Sequence, residues 1–348
     1  MRIVVDVMGG DHGCGVVIEG VKRALEGNRS ITALYLAGRQ DEIQAALGVS
    51  RLRDERVHVV HASEVMTMED KPTEAFRKKK DSSMARAIQL VGEGKADAVI
   101  SLGNTGGILA VATLKLRPLP GVERAGIATV IPTPESEFVL IDSGANIGCK
   151  PLHLLQYAVM GSVYSREILG RRAPRVGLLS VGTEDTKGNE LTLEAFKLCK
   201  QCDIHFIGNV EGYDLFADKV DVVVCDGFVG NVVLKTCESL ATAMISMLRK
   251  ELSLNPKRKL GAWLAREGLR AIKRRMDPEV HGGAPLLGLN GTVMKAHGSA
   301  RERAIMSAIR ITTETVQNQI NQVITRELQQ ARERLVTSKS ETPAVVTA

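Results

Sequence analysis

The chain has 348 residues, 44% apolar and 25% charged, the composition of an ordinary globular protein whose core needs no disulfide or metal staple. Aromatic residues make up only 3%, so that core must be built mainly from Val, Ile, Leu, Met and Ala. The formal charge is +6 and the pI about 9.0, a balance that favours an acidic partner: nucleic acid, anionic lipid, a phosphate-bearing ligand or an acidic protein.

The chain begins with the apolar run Ile3-Val4-Val5 followed by Asp6. It has neither the basic flank nor the long apolar stretch of a secretory signal. No uninterrupted apolar run approaches the ~18 residues that would span a bilayer. A soluble cytoplasmic protein is the expectation. Strands are expected at 2–7, 33–37, 57–61, 98–101, 126–131, 138–142, 176–180, 205–208 and 220–225. Several are apolar almost throughout, as in strands covered on both faces. Helices are expected between most of them, at 16–26, 41–47, 84–93, 107–116, 153–169 and 191–200. This alternation predicts an α/β fold with a mostly parallel, doubly wound sheet. From 228 to 335 the pattern becomes mainly helical, broken near 281–298 by a Gly-rich segment. Residues 336–348 read as a flexible tail, and 1–335 as a single domain.

Two helical stretches are amphipathic. Between Ser299 and Leu335, Ile305, Ile309, Val316, Ile320, Val323 and Ile324 recur at helical spacing, which predicts a long C-terminal helix with one covered face. Between Lys259 and Met276, a wheel of about 100° per residue gathers Lys259, Arg266, Arg270, Lys273 and Arg274 into one sector. Trp263 falls in that sector, and Leu260, Leu264, Leu269, Ile272 and Met276 fill much of the remainder. Two readings stand: a solvated face on a packed helix, or a helix lying on an anionic bilayer.

Glycines cluster where predicted strands end. Five loops stand out: Asp6 to Gly13, Ser101 to Gly107, Asp142 to Asn146, Gly182 to Glu190 and Asp226 to Asn231. In a parallel sheet the carboxyl edge is where ligands bind. Glycine lets backbone N–H groups approach an anion, and a helix N-terminus adds partial positive charge. Five such loops on one edge would build a cleft for phosphate. None matches G-x-G-x-x-G or G-x4-G-K-[ST], so dinucleotide binding and P-loop chemistry lose their usual warrant. There is no hydrolase G-x-S-x-G and no H-E-x-x-H. Cys199, Cys202 and His205 have ligand-like spacing but no fourth partner nearby; reduced structural thiols and no metal are expected. His12, His153 and His297 sit near Gly-rich segments, where a lone His is more often structural. Lys187 either faces the cleft, neutralising phosphate, or is a surface lysine.

Read together and in order, the loops resemble the bacterial phosphate acyltransferase family, also called acyl-acyl carrier protein:phosphate transacylase. The strings that carry the resemblance run from residue 1 to about 311. They are Val5-Asp6-Val7-Met8-Gly9-Gly10-Asp11-His12, Lys78-Lys79-Lys80-Asp81-Ser82-Ser83-Met84, Gly94-Lys95-Ala96-Asp97-Ala98 and Gly103-Asn104-Thr105-Gly106. They continue with Gly144-Ala145-Asn146, Gln156-Tyr157-Ala158-Val159-Met160-Gly161-Ser162, Lys187-Gly188-Asn189-Glu190, Cys225-Asp226-Gly227-Phe228-Val229-Gly230-Asn231 and Gly282-Gly283-Ala284-Pro285-Leu286-Leu287-Gly288. Departures are mild: Gly13-Cys14 stands where the family commonly has Ala-Pro, and Ser143 where it often has Val.

The resemblance implies a fold like that of isocitrate and isopropylmalate dehydrogenases, with a helical hairpin at about 240–280. It implies transfer of a fatty acyl group from acyl carrier protein to inorganic phosphate, the first step toward phosphatidic acid, without a cofactor. It implies a homodimer associated peripherally with an anionic membrane surface through Lys259–Met276, near the downstream membrane glycerol-3-phosphate acyltransferase. Lys187 and Asn231 are the expected catalytic residues. Gly10, Asp11, His12, Gly103, Asn104, Thr105, Gly106, Asn146 and Gly230 are expected to line the substrate cleft. The rivals are an NAD-dependent hydroxy-acid dehydrogenase of related fold, a nucleic-acid binder, which the few aromatics disfavour, and a non-catalytic membrane-surface scaffold.

Overall fold

The computed structural model describes residues 1–67, 69–70 and 77–340. Its first half comprises β1 (Arg2–Asp6), α1 (Cys14–Gly27), β2 (Ala33–Gly38), α2 (Gln40–Ser50), β3 (Val57–His61), α3 (Ser83–Gly92), β4 (Ala98–Ser101) and α4 (Thr105–Leu116). A hairpin of β5 (Gly126–Pro132) and β6 (Glu137–Ile141) follows, then α5 (Pro151–Glu167), β7 (Val176–Leu179), α6 (Glu190–Lys200), β8 (Phe206–Val210) and β9 (Val222–Val224). The chain continues as α7 (Gly227–Ser253), α8 (Pro256–Leu264) and α9 (Arg266–Arg275). It returns to the sheet as β10 (Ala284–Leu287) and β11 (Thr292–Lys295) and ends in α10 (Glu302–Gln317) and α11 (Ile320–Ser340).

All eleven strands form one sheet, ordered β3-β2-β1-β4-β11-β10-β5-β6-β9-β7-β8. Pairing is parallel except at its centre, where β11–β10, β10–β5 and β5–β6 are antiparallel. Strand alternation sorts the core into layers. In the first half, Ile3, Val5, Ile100 and Met294 face α1 and α10, while Val4, Val99 and Val293 face α3 and α4. In the second half, Val139, Ile141, Val222 and Val224 pack against α5 and α11, while Phe138, Leu140 and Val223 meet Val233 and Leu234 of α7.

The mostly parallel α/β sheet is as expected, with four differences. The Gly-rich segment at 281–298 contains β10 and β11, which pass through the middle of the sheet between β4 and β5. The stretch from Ser299 to Leu335 forms two helices, because Gln319 adopts a left-handed φ of 52°. That break lets α10 cover α1 in the first half while α11 covers α5 in the second. Helix α11 is the long C-terminal helix; it runs through Ser340, past the expected start of the tail, and 341–348 lie outside the described residues. Finally, the basic stretch between Lys259 and Met276 is two helices, since Ala265 has ψ near 4° and caps both. A single continuous wheel therefore does not describe it.

The central pair β10–β11 joins the halves through apolar side chains. Leu286 is buried at 3% exposure and pairs with Ile127 of β5. Leu286→Ala should cost about 2–5 kcal/mol, read from the midpoint of urea unfolding. A loss under about 1 kcal/mol would mean that this seam does not carry core stability.

Candidate active site

Several strand-end loops double as helix N-caps. Asn104 Oδ1 accepts from the Gly107 N–H at 3.0 Å and starts α4. Asp226 Oδ1 accepts from Phe228 and Val229 at 2.9 and 3.1 Å and starts α7. Asn189 and Thr192 form a capping box on α6. Each cap satisfies orphan N–H donors and fixes where the loop ends.

The loops leave the sheet at two places, not one. Strand β6 is antiparallel to β5, and β9 and β7 follow its direction. Strand β5 runs the same way as β11 and β4, since both β5 and β11 oppose β10. The loops after β1 and β4 thus emerge at one edge, and those after β6, β9 and β7 at the other. The single-edge expectation fails because the β5–β6 hairpin reverses the strand direction.

At the first edge, the buried Asp6 accepts from Ser101 Oγ at 2.7 Å and from the Met8 N–H at 3.3 Å. Ser101 Oγ in turn accepts from the Gly103 N–H at 3.2 Å. Burial pushes the Asp6 carboxyl above the usual carboxylate range, against the pull of these donors. Gly9 meets the other loop so closely that a Cβ there would lie 2.6 Å from the Gly103 nitrogen. The segment after β11 joins them: the Asp11 N–H donates to the Gly298 carbonyl at 2.8 Å. Gly10, Gly103, Asn104, Thr105 and Gly106 are partly or fully buried here, and Asp11 and His12 are exposed.

At the second edge, Asp142 is fully buried. Its Oδ1 accepts from the N–H groups of Ile127, Gly144 and Ala145, and its Oδ2 from the backbone and side chain of Asn146. Burial pushes this carboxyl up, and these donors pull it back. Asn146 is buried as well, its Nδ2 turned inward to Ala125 O, Asp142 and Tyr157 Oη. It holds the loop rather than facing a cleft. Helix α7 starts against this loop: the Gly227 N–H donates to Asn146 O at 2.8 Å. At Gly230 a Cβ would lie 1.9 Å from the Asp142 carbonyl oxygen, so only glycine fits. Asn231 stands beside Gly144 and is exposed.

Helix α7 brings the edges together. Asn231, Val232, Lys235, Thr236, Ser239, Leu240 and Ala243 line an open groove of about 640 Å³ along it. Lys235 and Glu238, one to two turns beyond Asn231, lie within electrostatic reach of Lys295, His297 and Asp11 at the first edge. Ala145 packs against the cluster that holds Met66, Met84 and Ile108. Lys187 is exposed. Its loop is held by Asn209, whose Nδ2 donates to Glu184 O at 2.8 Å and Lys187 O at 3.4 Å. That loop leaves β7, the neighbour of β9, at the α7 edge.

Other candidates are structural. His153 Nδ1 accepts from the Lys150 N–H at 3.0 Å and Nε2 meets Glu123 at 2.8 Å, which stitches the start of α5. Cys199 and Cys202 are buried in the apolar core, and burial pushes the Cys202 thiol up to about 11. His205 contacts Ala173 O at 3.2 Å. Among the described residues no three His, Cys, Asp or Glu side chains gather as a metal site. Sequence reasoning missed Lys235, Glu238 and Lys295. The signal available for Lys295 was the string Val293-Met294-Lys295-Ala296-His297-Gly298, an apolar run ending in polar residues and glycine like the other loops.

A family described as fatty acid synthesis protein matches residues 1–323. A phosphate acyltransferase of Desulfitobacterium hafniense is 46% identical, over 94% of this chain and 98% of that one. Another, from Syntrophotalea carbinolica, is 47% identical over 92% of this chain and 91% of that one. A phosphotransacetylase from Streptococcus pyogenes shares the fold, with TM-score 0.62 at 20% identity over 91% of this chain and 94% of that one.

Asp142→Asn would turn an amide NH2 against the donors of Asn146. A loss of about 2–5 kcal/mol is expected, with faster hydrogen exchange at Gly144 to Asn146. Unchanged stability and exchange would remove Asp142 from its role as the anchor of this edge.

Proposed function

This chain belongs to the phosphate acyltransferase family, and we propose that it transfers a fatty acyl group from acyl carrier protein to inorganic phosphate. The observation that carries the reading is near-full-length identity of 46% to a phosphate acyltransferase. A thioester is already activated, so phosphate attacks its carbonyl carbon directly and the carrier thiolate leaves. A thiol of pKa near 8.5 needs little help to depart. The protein must therefore align phosphate with the thioester, balance its charge and stabilise the tetrahedral oxyanion. No cofactor enters this chemistry.

In this reading Lys187 neutralises oxyanion or phosphate charge and Asn231 donates a hydrogen bond. The N–H groups around Gly10, Gly103 to Gly106 and Gly230 line the substrate path with Asp11 and His12. Residues 1–335 act as one domain. A second copy of the chain covers α7, which leaves Leu240, Met244, Met247 and Leu248 exposed, too many neighbouring apolar groups for a free surface. Helices α8 and α9 rest on an anionic membrane surface. There Leu260, Trp263, Leu264 and Ile272 are exposed alongside Arg258, Lys259, Arg270 and Lys273, the composition of an interfacial helix pair. In this reading the enzyme works in the cytoplasm, peripherally on the membrane, beside the glycerol-3-phosphate acyltransferase that consumes its product. The net charge of +6 suits an acidic carrier protein and requires no nucleic acid.

Purified protein mixed with acyl-acyl carrier protein and phosphate should form acyl phosphate, trapped with hydroxylamine; no product would end the reading. Lys187→Ala and Asn231→Ala should each lower kcat roughly 10²–10³-fold, and near-normal turnover in both folded variants would remove them from the chemistry. Binding to anionic vesicles should fall as salt rises and fall further in Trp263→Ala; vesicle binding unchanged by either would displace the membrane from α8 and α9.

A further inference from the structure

Lys295 ends β11, its backbone paired with Ser101 at the end of β4. Alternation points its side chain to the same face as Val293, the face of α3 and α4. The next residue, Ala296, donates to Ser101 O at 2.9 Å, so the end of β11 is pinned beside the loop that caps α4. Two residues on, His297 returns to the same side, with Nδ1 2.8 Å from Ser299 Oγ. The Lys295 ammonium is partly buried and makes no ion pair or hydrogen bond among the described residues. Lys235 of α7, which pairs with Glu238 at 2.6 Å on its own helix, lies within its electrostatic reach.

Burial first, and then the Lys235 charge, depress the Lys295 pKa; burial and both lysines do the same to His297. Glu238 and Asp11 supply the opposing charge facing this cluster. Lys295 is half-buried and Lys235 exposed; repulsion from Lys235 adds to the desolvation of Lys295, and a tetrahedral dianion beside both would relieve the two together. The Gly103 turn follows directly on Ser101, the backbone partner of Lys295, and Asn231 stands one turn from Lys235 in the groove.

We propose that Lys295, Lys235 and His297 form the seat of a phosphate group, with Lys295 as its principal ligand. The inference rests on the acyl phosphate reading for its context, and leaves Lys187 to the oxyanion. Two sources share the chemistry: free inorganic phosphate, and the phosphodiester of the carrier protein's prosthetic group.

The test uses the full chain. Phosphate titration by calorimetry needs no turnover, so it stands even if no acyl phosphate is formed. Lys295→Met is expected to weaken phosphate binding, and to raise the KM for phosphate, about tenfold to a hundredfold. Lys295→Arg should recover part of the loss, and Lys235→Ala, on an exposed helix face, should show a several-fold effect without loss of folding. A raised KM for phosphate with an unchanged KM for acyl carrier protein identifies free phosphate as the occupant. A raised KM for acyl carrier protein alone identifies the phosphodiester. Folded Lys295→Arg and Lys235→Ala variants with wild-type phosphate affinity and both KM values unchanged overturn the proposal. If wild-type protein forms no acyl phosphate, the enzymatic reading fails separately.

Discussion

A carboxylate removed from water keeps its charge at tolerable cost only if its lone pairs are met by donors. Asp142 meets this demand with four backbone N–H groups and one side-chain amide. The donors come from two parts of the chain: Ile127 at the start of β5, and the loop that follows β6. One side chain therefore ties the two ends of the β5–β6 hairpin and sets the path of the loop beyond. The Asp142 carbonyl then meets Gly230 with no room for a Cβ, which fixes where α7 starts. The position of Asn231, and of Lys235 one turn later, follows from that start and from the rigid rise of the helix.

This dependence matters because the sheet alone would not assemble a site. Its two halves run in opposite directions, so their glycine-rich loops leave from different edges. Helix α7 restores convergence by running from one edge to within electrostatic reach of the other. The return of the chain as β10 and β11 completes the arrangement. It fills the seam between the halves and brings Lys295 and His297 to the edge opposite Asp142. The break at Gln319 serves the same geometry on the far face, where α10 and α11 each cover a different half.

Much of this was legible in the residues. All nine expected strands exist, because β-branched apolar runs bounded by glycine and asparagine leave few alternatives. Strands β10 and β11 were hidden: each has four residues, Pro285 interrupts one, and glycines flank both. Their order comes from pairing partners distant in sequence, which local pattern does not encode. The same limit applies to Asn146. Its place in a strand-end loop resembled a ligand position, yet its amide is spent on Asp142, Ala125 and Tyr157. The breaks at Ala265 and Gln319 sit in sequences of continuous helical periodicity, so periodicity ran straight through them. Lys295 was missed with its strand, although the apolar run ending in Lys295-Ala296-His297-Gly298 has the same form as the other strand-end loops.

Exposure separates Lys187, proposed for the oxyanion, from Lys295, proposed for phosphate. An ammonium in open water acts on a nearby charge through a high dielectric, and its effect is small. Lys295 is already partly desolvated, so its proposed role as an anion ligand needs no further cover. Lys187 is exposed, so its proposed role at the oxyanion requires something that excludes water from it. The groove along α7 is open, and the apolar side chains beyond it, from Leu240 to Leu248, also lack cover. Both deficits lie on one helix. A cover over α7, whether the acyl carrier with its chain or a second copy of the protein, would bury the apolar stripe and dry the groove together. On the proposed reading, anion binding belongs to the open groove and full stabilisation of the transition state to the covered one, where the low dielectric strengthens every charge contact.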